Sequence, residues 1–321
     1  MVGQTNDKPL PKSILVFGAS NHIGGPMADY LMREAPQVRL RMATHSAAKA
    51  SVLRDRFPGL EVVVADYLEQ SSMTAAVDGM EGIFFIPPNE LNEQIAVPNM
   101  IAACEASGTL VHMVRLVGLQ PEANMHRIPQ VLRDTGAGIE IQHAIAKRLL
   151  DESGLPVTYI NCGATFMDNF TRLGLGQSVM RERKLIWPER LIPWIDPRDI
   201  GEVAARLLLS DNHRHIGQFH TMNNGHDLLR FQEVAELLGE VLGEPITYDG
   251  SREAFFSTYT FMGEPLLNQI WNFLQYEQDN EVVWARNDFV ERTLGRKPTT
   301  LREWLIEHRD MLLGKGEWRH H

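Results

Sequence analysis

Seven residues near the start of the chain, Gly18-Ala19-Ser20-Asn21-His22-Ile23-Gly24, have the types and spacing of a turn that holds phosphate. They follow the apolar run Ile14-Leu15-Val16-Phe17 and precede Gly25-Pro26-Met27-Ala28-Asp29-Tyr30-Leu31-Met32, so strand, glycine turn and helix come in that order. Gly18 permits a sharp turn, small Ala19 and Ser20 let a pyrophosphate approach the backbone, and Gly24 allows the helix to pack closely on the strand. Free amides at the helix start and the helix dipole then favour an anion. Asn21 stands where a middle glycine is commoner. Asn tolerates left-handed backbone better than other non-glycine residues, so the turn is expected to close around it, with its side chain near the ligand's ribose or phosphate. Gly18, Ser20, Asn21, His22, Ile23 and Gly24 are therefore assigned to a dinucleotide.

The end of the second strand decides which dinucleotide. Selectivity for NAD usually requires an Asp or Glu there to bind the adenine ribose hydroxyls. Arg39-Leu40-Arg41-Met42-Ala43 runs instead into Thr44-His45-Ser46-Ala47-Ala48-Lys49, which has no acid. Thr44, His45, Ser46 and Lys49 supply hydroxyls and donors suited to a 2′-phosphate, and NADP(H) is the predicted cofactor. Arg39, Arg41 and Lys49 are open to two readings, cations for that phosphate or ordinary solvated charges. Asp66, after the third strand, is expected to accept from the adenine amino group, and Tyr67 beside it is also assigned to the cofactor. Pro87, in Ile86-Pro87-Pro88 after the fourth strand, lies along the nicotinamide side, and Val117 after the fifth strand completes the set.

Other groupings carry less chemistry. His213, His215, His220 and His226 crowd one stretch, but their spacing matches no zinc pattern and no cysteine accompanies them, so no metal is predicted. There is no Gly-x-Ser-x-Gly turn to support an α/β-hydrolase. The net charge of −10 and the absence of a Lys/Arg cluster argue against nucleic acid. No apolar run approaches the ~18 residues of a membrane span, and the polar stretch Met1–Lys12 lacks the apolar core of a secretory signal. Cysteine is limited to Cys104 and Cys162, both in apolar surroundings. A cytoplasmic protein acting on a small molecule is expected.

The elements that must hold these residues follow from an alternation of short apolar runs and amphipathic stretches, the form of repeated βα units. Strands are predicted at 14–17, 39–43, 61–65, 82–86, 111–116 and 157–160, and helices at 22–34, 47–56, 73–77, 93–107, 141–153, 199–210 and 229–242. A last helix starts at Thr300 with Glu303 three residues on, a capping box, and buries Leu301, Trp304, Leu305 and Leu312. The expected fold is α/β: a Rossmann-type doubly wound parallel sheet with a smaller, mostly helical substrate-binding region. Residues 1–162 form the dinucleotide-binding domain in this reading, and 163–321 the substrate-binding region. The two are interleaved, with about 190–222 returning to the sheet domain. Phe255, Phe256, Tyr259, Phe261, Trp271, Phe273 and Tyr276 read equally as a cap over a flat apolar substrate, as helix packing or as a homodimer face.

Taken together, these residues resemble the NmrA-like branch of the atypical short-chain dehydrogenase/reductases over nearly the whole chain. The likeness rests on the 18–24 turn, the Thr44–Lys49 turn, Asp66 after a Val-rich strand, Phe166-Met167-Asp168-Asn169, Pro193-Trp194-Ile195-Asp196-Pro197-Arg198-Asp199-Ile200 and the closing 299–312 segment. It implies one of two classes. One is the NADP(H)-dependent reductases, which act on quinones, phenylpropanoid ethers or iminium compounds. The other is the redox-sensing regulators, which bind the dinucleotide without turning it over.

The same resemblance marks departures. A catalytic Ser or Thr is expected after the fifth strand, yet Val114-Arg115-Leu116-Val117-Gly118 has neither. In place of Tyr-x-x-x-Lys stands His143-Ala144-Ile145-Ala146-Lys147, which puts His143 and Lys147 on one helical face. Asn161-Cys162-Gly163 replaces the Arg-Pro of many relatives. NmrA-like quinone reductases carry a similar histidine, so His143 and Lys147 are the predicted catalytic residues. His143 would donate a proton near neutral pH, and Lys147 would also bind ribose. The reading on this basis is an NADP(H)-dependent reductase of a small conjugated carbonyl, quinone or iminium compound. A catalytically silent dinucleotide sensor is the alternative.

Overall fold

Runs of Val, Ile, Phe and Leu without alternation need cover on both faces, and they form the centre of a parallel sheet. The computed structural model describes residues 7–88, 91–119, 139–279 and 284–316. Strands β1 (Ser13–Phe17), β2 (Arg39–Thr44), β3 (Glu61–Val64), β4 (Gly82–Phe85), β5 (His112–Val117) and β6 (Val157–Cys162) alternate with helices α1 (Gly24–Glu34), α2 (Ala47–Arg56), α3 (Gln70–Val77), α4 (Glu93–Ser107) and α5 (Ile139–Ser153). Helix α6 (Pro197–Leu209) leads to an edge strand, β7 (Phe219–Met222), and the sheet order is β7-β6-β5-β4-β1-β2-β3. Neighbours among β1 to β6 all run parallel. The order reverses between β1 and β4, and a doubly wound sheet binds its ligand beyond the carboxyl ends of the strands at such a reversal.

The chain divides into two compact units. The first takes in the chain up to Leu119, the stretch ending at Cys162, and Arg198–Thr221. The second takes in Gly163–Pro197 and the chain from Met222 onward. On one face of the first unit's sheet, Leu15, Phe17, Ile83, Phe85, Met113 and Val117 pack with Met73, Val97, Met100 and Leu150 of the helices. Cys104 belongs to this core, and burial pushes its thiol up to about 12, which leaves it inert.

The second unit holds a three-stranded sheet in the order Leu228–Arg230, Leu191–Ile195, Thr165–Phe166, and a strand pair Lys184–Ile186 with Thr247–Asp249. Phe170 stacks between Trp194 and Trp304 at 5.9 and 5.7 Å, and Phe255 and Tyr259 meet Trp187 edge-on. Of the aromatic run, Phe255 and Tyr259 are core and Phe256, Trp271 and Phe273 pack against it partly buried, whereas Phe261 is 65% exposed. The unit is mostly helical, as expected, and its short strands went unread because strands of two to five residues carry too few side chains to raise a periodic signal. The helix predicted from 229 begins at Phe231, after the Leu228–Arg230 strand. The closing helix divides into Leu301–Glu307 and Arg309–Leu312. At the break His308 stacks on Trp304 at 3.7 Å, and its Nδ1 lies 2.8 Å from the Trp304 carbonyl oxygen.

Candidate cofactor and active site

β1 ends at Phe17, and the chain reverses at Gly18, whose φ is +66°. The Asn21 amide donates to the Gly18 carbonyl at 2.8 Å and closes the turn, and the Met27 amide donates to Ile23 at 3.1 Å as α1 begins. Ile23 is the N-cap; no side chain bonds the first amides and no acid sits in the first turn. The Gly25 amide donates to the Asn21 carbonyl at 3.0 Å and Pro26 has no N–H, so of the first turn it is the Gly24 amide that is left for an anion outside the helix. A Cβ on Gly24 would stand 2.6 Å from the Gly18 carbonyl carbon and 2.9 Å from the Ala19 nitrogen, so only glycine fits. Gly201 of α6 is held by the same logic, its missing Cβ lying 2.6 Å from the Ile23 carbonyl oxygen. Asn21 departs from expectation, since it does not adopt positive φ. Gly18 supplies the whole reversal, and Asn21 is left exposed at the tip. Ser20 and His22 are half-buried and Ile23 is buried.

Register with β1, Phe17 opposite Ala43, brings the end of β2 beside this turn. Thr44 is buried, and its Oγ1 has no partner among the described residues. His45 and Lys49 are exposed, and Ser46 caps α2 by accepting from the Lys49 amide at 3.3 Å. Arg39 and Arg41 do not join them. Arg39 pairs with Glu61 and donates to Gly79, while Arg41 pairs with Glu61 at 2.8 Å and donates to the Ala76 and Asp78 carbonyls. Both guanidinium groups are taken up by the sheet and α3, so neither serves a 2′-phosphate. Asp66 is exposed and accepts from the Leu68 amide at 2.9 Å. The Tyr67 ring lies in the core against Phe17, at 5.2 Å, and its hydroxyl donates to Ile86, which leaves only its backbone for a ligand. Pro87 and Val117 are buried at the ends of β4 and β5.

His143 is 8% exposed, and its Nδ1 accepts the Gly118 amide at 2.7 Å. That bond puts the ring proton on Nε2, which has no partner among the described residues. Burial first and the Arg115 charge second hold the imidazole well below its usual 6.5. The predicted proton donor is thus held as a neutral ring, because burial and the Arg115 charge both disfavour the imidazolium. Lys147 is not brought to the same point. Its ammonium pairs with Asp151 at 2.5 Å and lies over the Tyr159 ring at 4.9 Å, further along α5. Sharing a helical face left this free, since a four-carbon stem can turn toward either end of the helix.

Sequence reading gave no role to Arg115, Glu93 or Asn161. Arg115, 0% exposed in the middle of β5, pairs with Glu93 of α4 and lies over the Phe85 ring at 4.7 Å. The Glu93 amide donates to Gln142, the neighbour of His143, at 2.9 Å. Asn161 clamps Leu119 from both sides, accepting its amide at 2.7 Å and donating to its carbonyl at 2.9 Å. The available signal was a lone Arg and a lone Asn inside apolar strands. A polar groove of 390 Å³ in the second unit, between Gln177, Arg181, Lys184 and Ser257, contains none of the predicted catalytic or cofactor residues, but Tyr259 and Phe261 of the aromatic run line it. Among the described residues no group of His, Cys, Asp and Glu is arranged to hold a metal ion. Nor is any helix long and apolar enough to cross a membrane.

A model of the NmrA-like family matches residues 11–305. The chain is 27% identical over 301 residues to an NAD(P)H azoreductase of Xenophilus azovorans, which covers 92% of this chain and 97% of that protein. It is 23% identical over 247 residues to quinone oxidoreductase 2 of Escherichia coli (strain K12), covering 76% of this chain and 79% of that one. Among solved structures, triphenylmethane reductase of Citrobacter sp. complexed with NADP(H) superposes with a TM-score of 0.75 at 20% identity, covering 92% and 99% of the two chains. At that identity the likeness is one of fold.

Proposed function

The chain belongs to the NmrA-like family, and on that footing we propose that it is an NADP(H)-dependent reductase of a quinone or another conjugated carbonyl compound. The observation that carries the reading is the Gly18–Gly24 turn, which leaves the Gly24 amide uncapped at the start of α1 and has no room for a Cβ at Gly24. Thr44, His45, Ser46 and Lys49 at the end of β2 suit the 2′-phosphate, and the buried, unpartnered Thr44 Oγ1 is a donor in need of an acceptor. Bound NADPH supplies a hydride; orientation and charge stabilisation fall to the protein.

His143 is the group for the second task. Its Nε2–H would donate to the substrate oxygen, where negative charge accumulates as a carbonyl is reduced. The ring is neutral, so it holds this oxygen without giving up a proton, and the product takes its proton from solvent. An iminium nitrogen loses positive charge on reduction and gains little from such a donor, which favours carbonyls and quinones over iminium compounds. A silent dinucleotide sensor is the second reading, favoured by the absence of Ser, Thr and Tyr at the positions named above and by the engagement of Lys147 with Asp151. A screen of NADPH oxidation against quinones, enones and imines separates the two. Turnover of quinones or enones supports the reductase, and no turnover with any acceptor despite tight NADPH binding supports the sensor.

A further inference from the structure

A buried ion pair in the middle of a parallel sheet is expensive, because two charges leave water and the packing gains less than an apolar pair would give. Arg115 and Glu93 nevertheless form one, with side chains 0% and 2% exposed. Glu93 Oε2 and Arg115 Nε are both buried without a hydrogen-bond partner among the described residues, so the pair is kept without full satisfaction. The Arg115 charge reaches the hydroxyls of Tyr67 and Tyr159, and two backbone links tie the pair to His143. Arg115 lies three residues before Gly118, whose amide fills the Nδ1 lone pair of His143, and the Glu93 amide is bonded to Gln142, the residue before His143. Of the other charges on α5, Lys147 pairs with Asp151 and Arg148 with Glu152.

We propose that Arg115, anchored by Glu93, is a positioning residue for His143: it keeps the ring neutral, with its proton on Nε2, through the pH range in which the enzyme works. His143 is then a hydrogen-bond donor of constant strength, and reduction should not respond to pH through this histidine. This rests on the reductase reading only for its consequence in turnover. The state of the ring can be measured without any substrate.

The test is a nitrogen-15 NMR titration of the full-length protein labelled at histidine, with His143 assigned by the loss of its signals in His143→Gln. Between about pH 5 and 8, the wild-type ring should keep one protonated and one bare nitrogen. The double substitution Arg115→Met with Glu93→Gln removes both charges together and avoids stranding one. In that variant, checked as folded by circular dichroism, the His143 titration should rise by about one pH unit or more. The profile of kcat/KM should gain an acidic limb at the same pH. A wild-type ring that takes up a second proton at about its ordinary midpoint overturns the proposal, and so does an unmoved titration in the folded double variant. Should the double variant not fold, the wild-type titration still decides whether the ring is neutral, and Arg115→Gln with Glu93→Gln takes over the second arm. Absence of NADPH oxidation would remove the reductase reading and leave the ring measurement standing.

Discussion

Gly24→Ala is the substitution through which the cofactor site is most directly tested. The new Cβ would sit 2.6 Å from the Gly18 carbonyl carbon, where ordinary contact begins at 3.4 Å, so the turn must retreat by about 0.8 Å. The obstacle is backbone on both sides, Gly18 and Ala19, and no side chain can swing away to relieve it. That retreat pulls on the Asn21–Gly18 hydrogen bond of 2.8 Å and displaces the amides meant for the pyrophosphate. Hydrogen bonds to a charged partner contribute about 1.5–3 kcal/mol each, so losing alignment of two costs about 3 kcal/mol or more, a Kd for NADPH raised at least ~100-fold. Overpacking should cost about 1–3 kcal/mol of stability, which a domain of this size tolerates. Titration calorimetry with NADPH, on protein shown to be folded by circular dichroism, reads the effect. Gly108→Ala is the control: that residue also ends a turn, at φ +62°, but has no atom within 4 Å of a new Cβ. It should lose about 1 kcal/mol of stability and keep its NADPH affinity. A folded Gly24→Ala protein that binds NADPH within about threefold of wild type would refute the assignment of the turn.

Three further outcomes are expected. His45→Asp places a carboxylate at the end of β2, where it repels a 2′-phosphate and accepts from ribose hydroxyls, so the NADPH-over-NADH preference in binding should fall at least ~10-fold; an unchanged ratio would remove His45 from the site. His143→Phe deletes the Nε2–H donor and should lower kcat for a quinone by about 10²–10³-fold while NADPH affinity holds, so full activity in steady-state assays would show that the ring acts only on Gly118. His112 is buried, its Nε2 bonded to Thr158 at 2.8 Å, and burial first, with the Lys8 charge second, lowers it from 6.5 to about 3. Its folded value is depressed, so the unfolded chain binds the extra proton and stability falls as pH drops from 6.5 toward about 3. The slope is about 1.4 kcal/mol per pH unit, or about 2 kcal/mol by pH 5. Urea midpoints should fall over that range, more gently in His112→Gln, and equal slopes in the two proteins would discount His112.

The first half of the chain was legible because its signals are local. A strand covered on both faces must be apolar throughout, a phosphate turn must carry glycine where backbone meets backbone, and both requirements are written in consecutive residues such as Ile14–Gly24. The missing acid after β2 was equally local. The short strands of the second unit were not legible, because Thr165–Phe166 and Leu228–Arg230 are strands only through the partner that Leu191–Ile195 offers them. Nor could the sequence choose among the charged residues. Arg39, Arg41 and Lys49 look alike in a string; the fold gives the first two to Glu61 and backbone carbonyls and leaves Lys49 exposed. His143 and Lys147 share a helical face, yet only the tertiary structure sets Gly118 against one and Asp151 against the other. The protonation of His143 was beyond the sequence for the same reason. A pKa is set by depth of burial and by charges arriving from other strands and helices, and the Arg115–Glu93 pair arrives from β5 and α4.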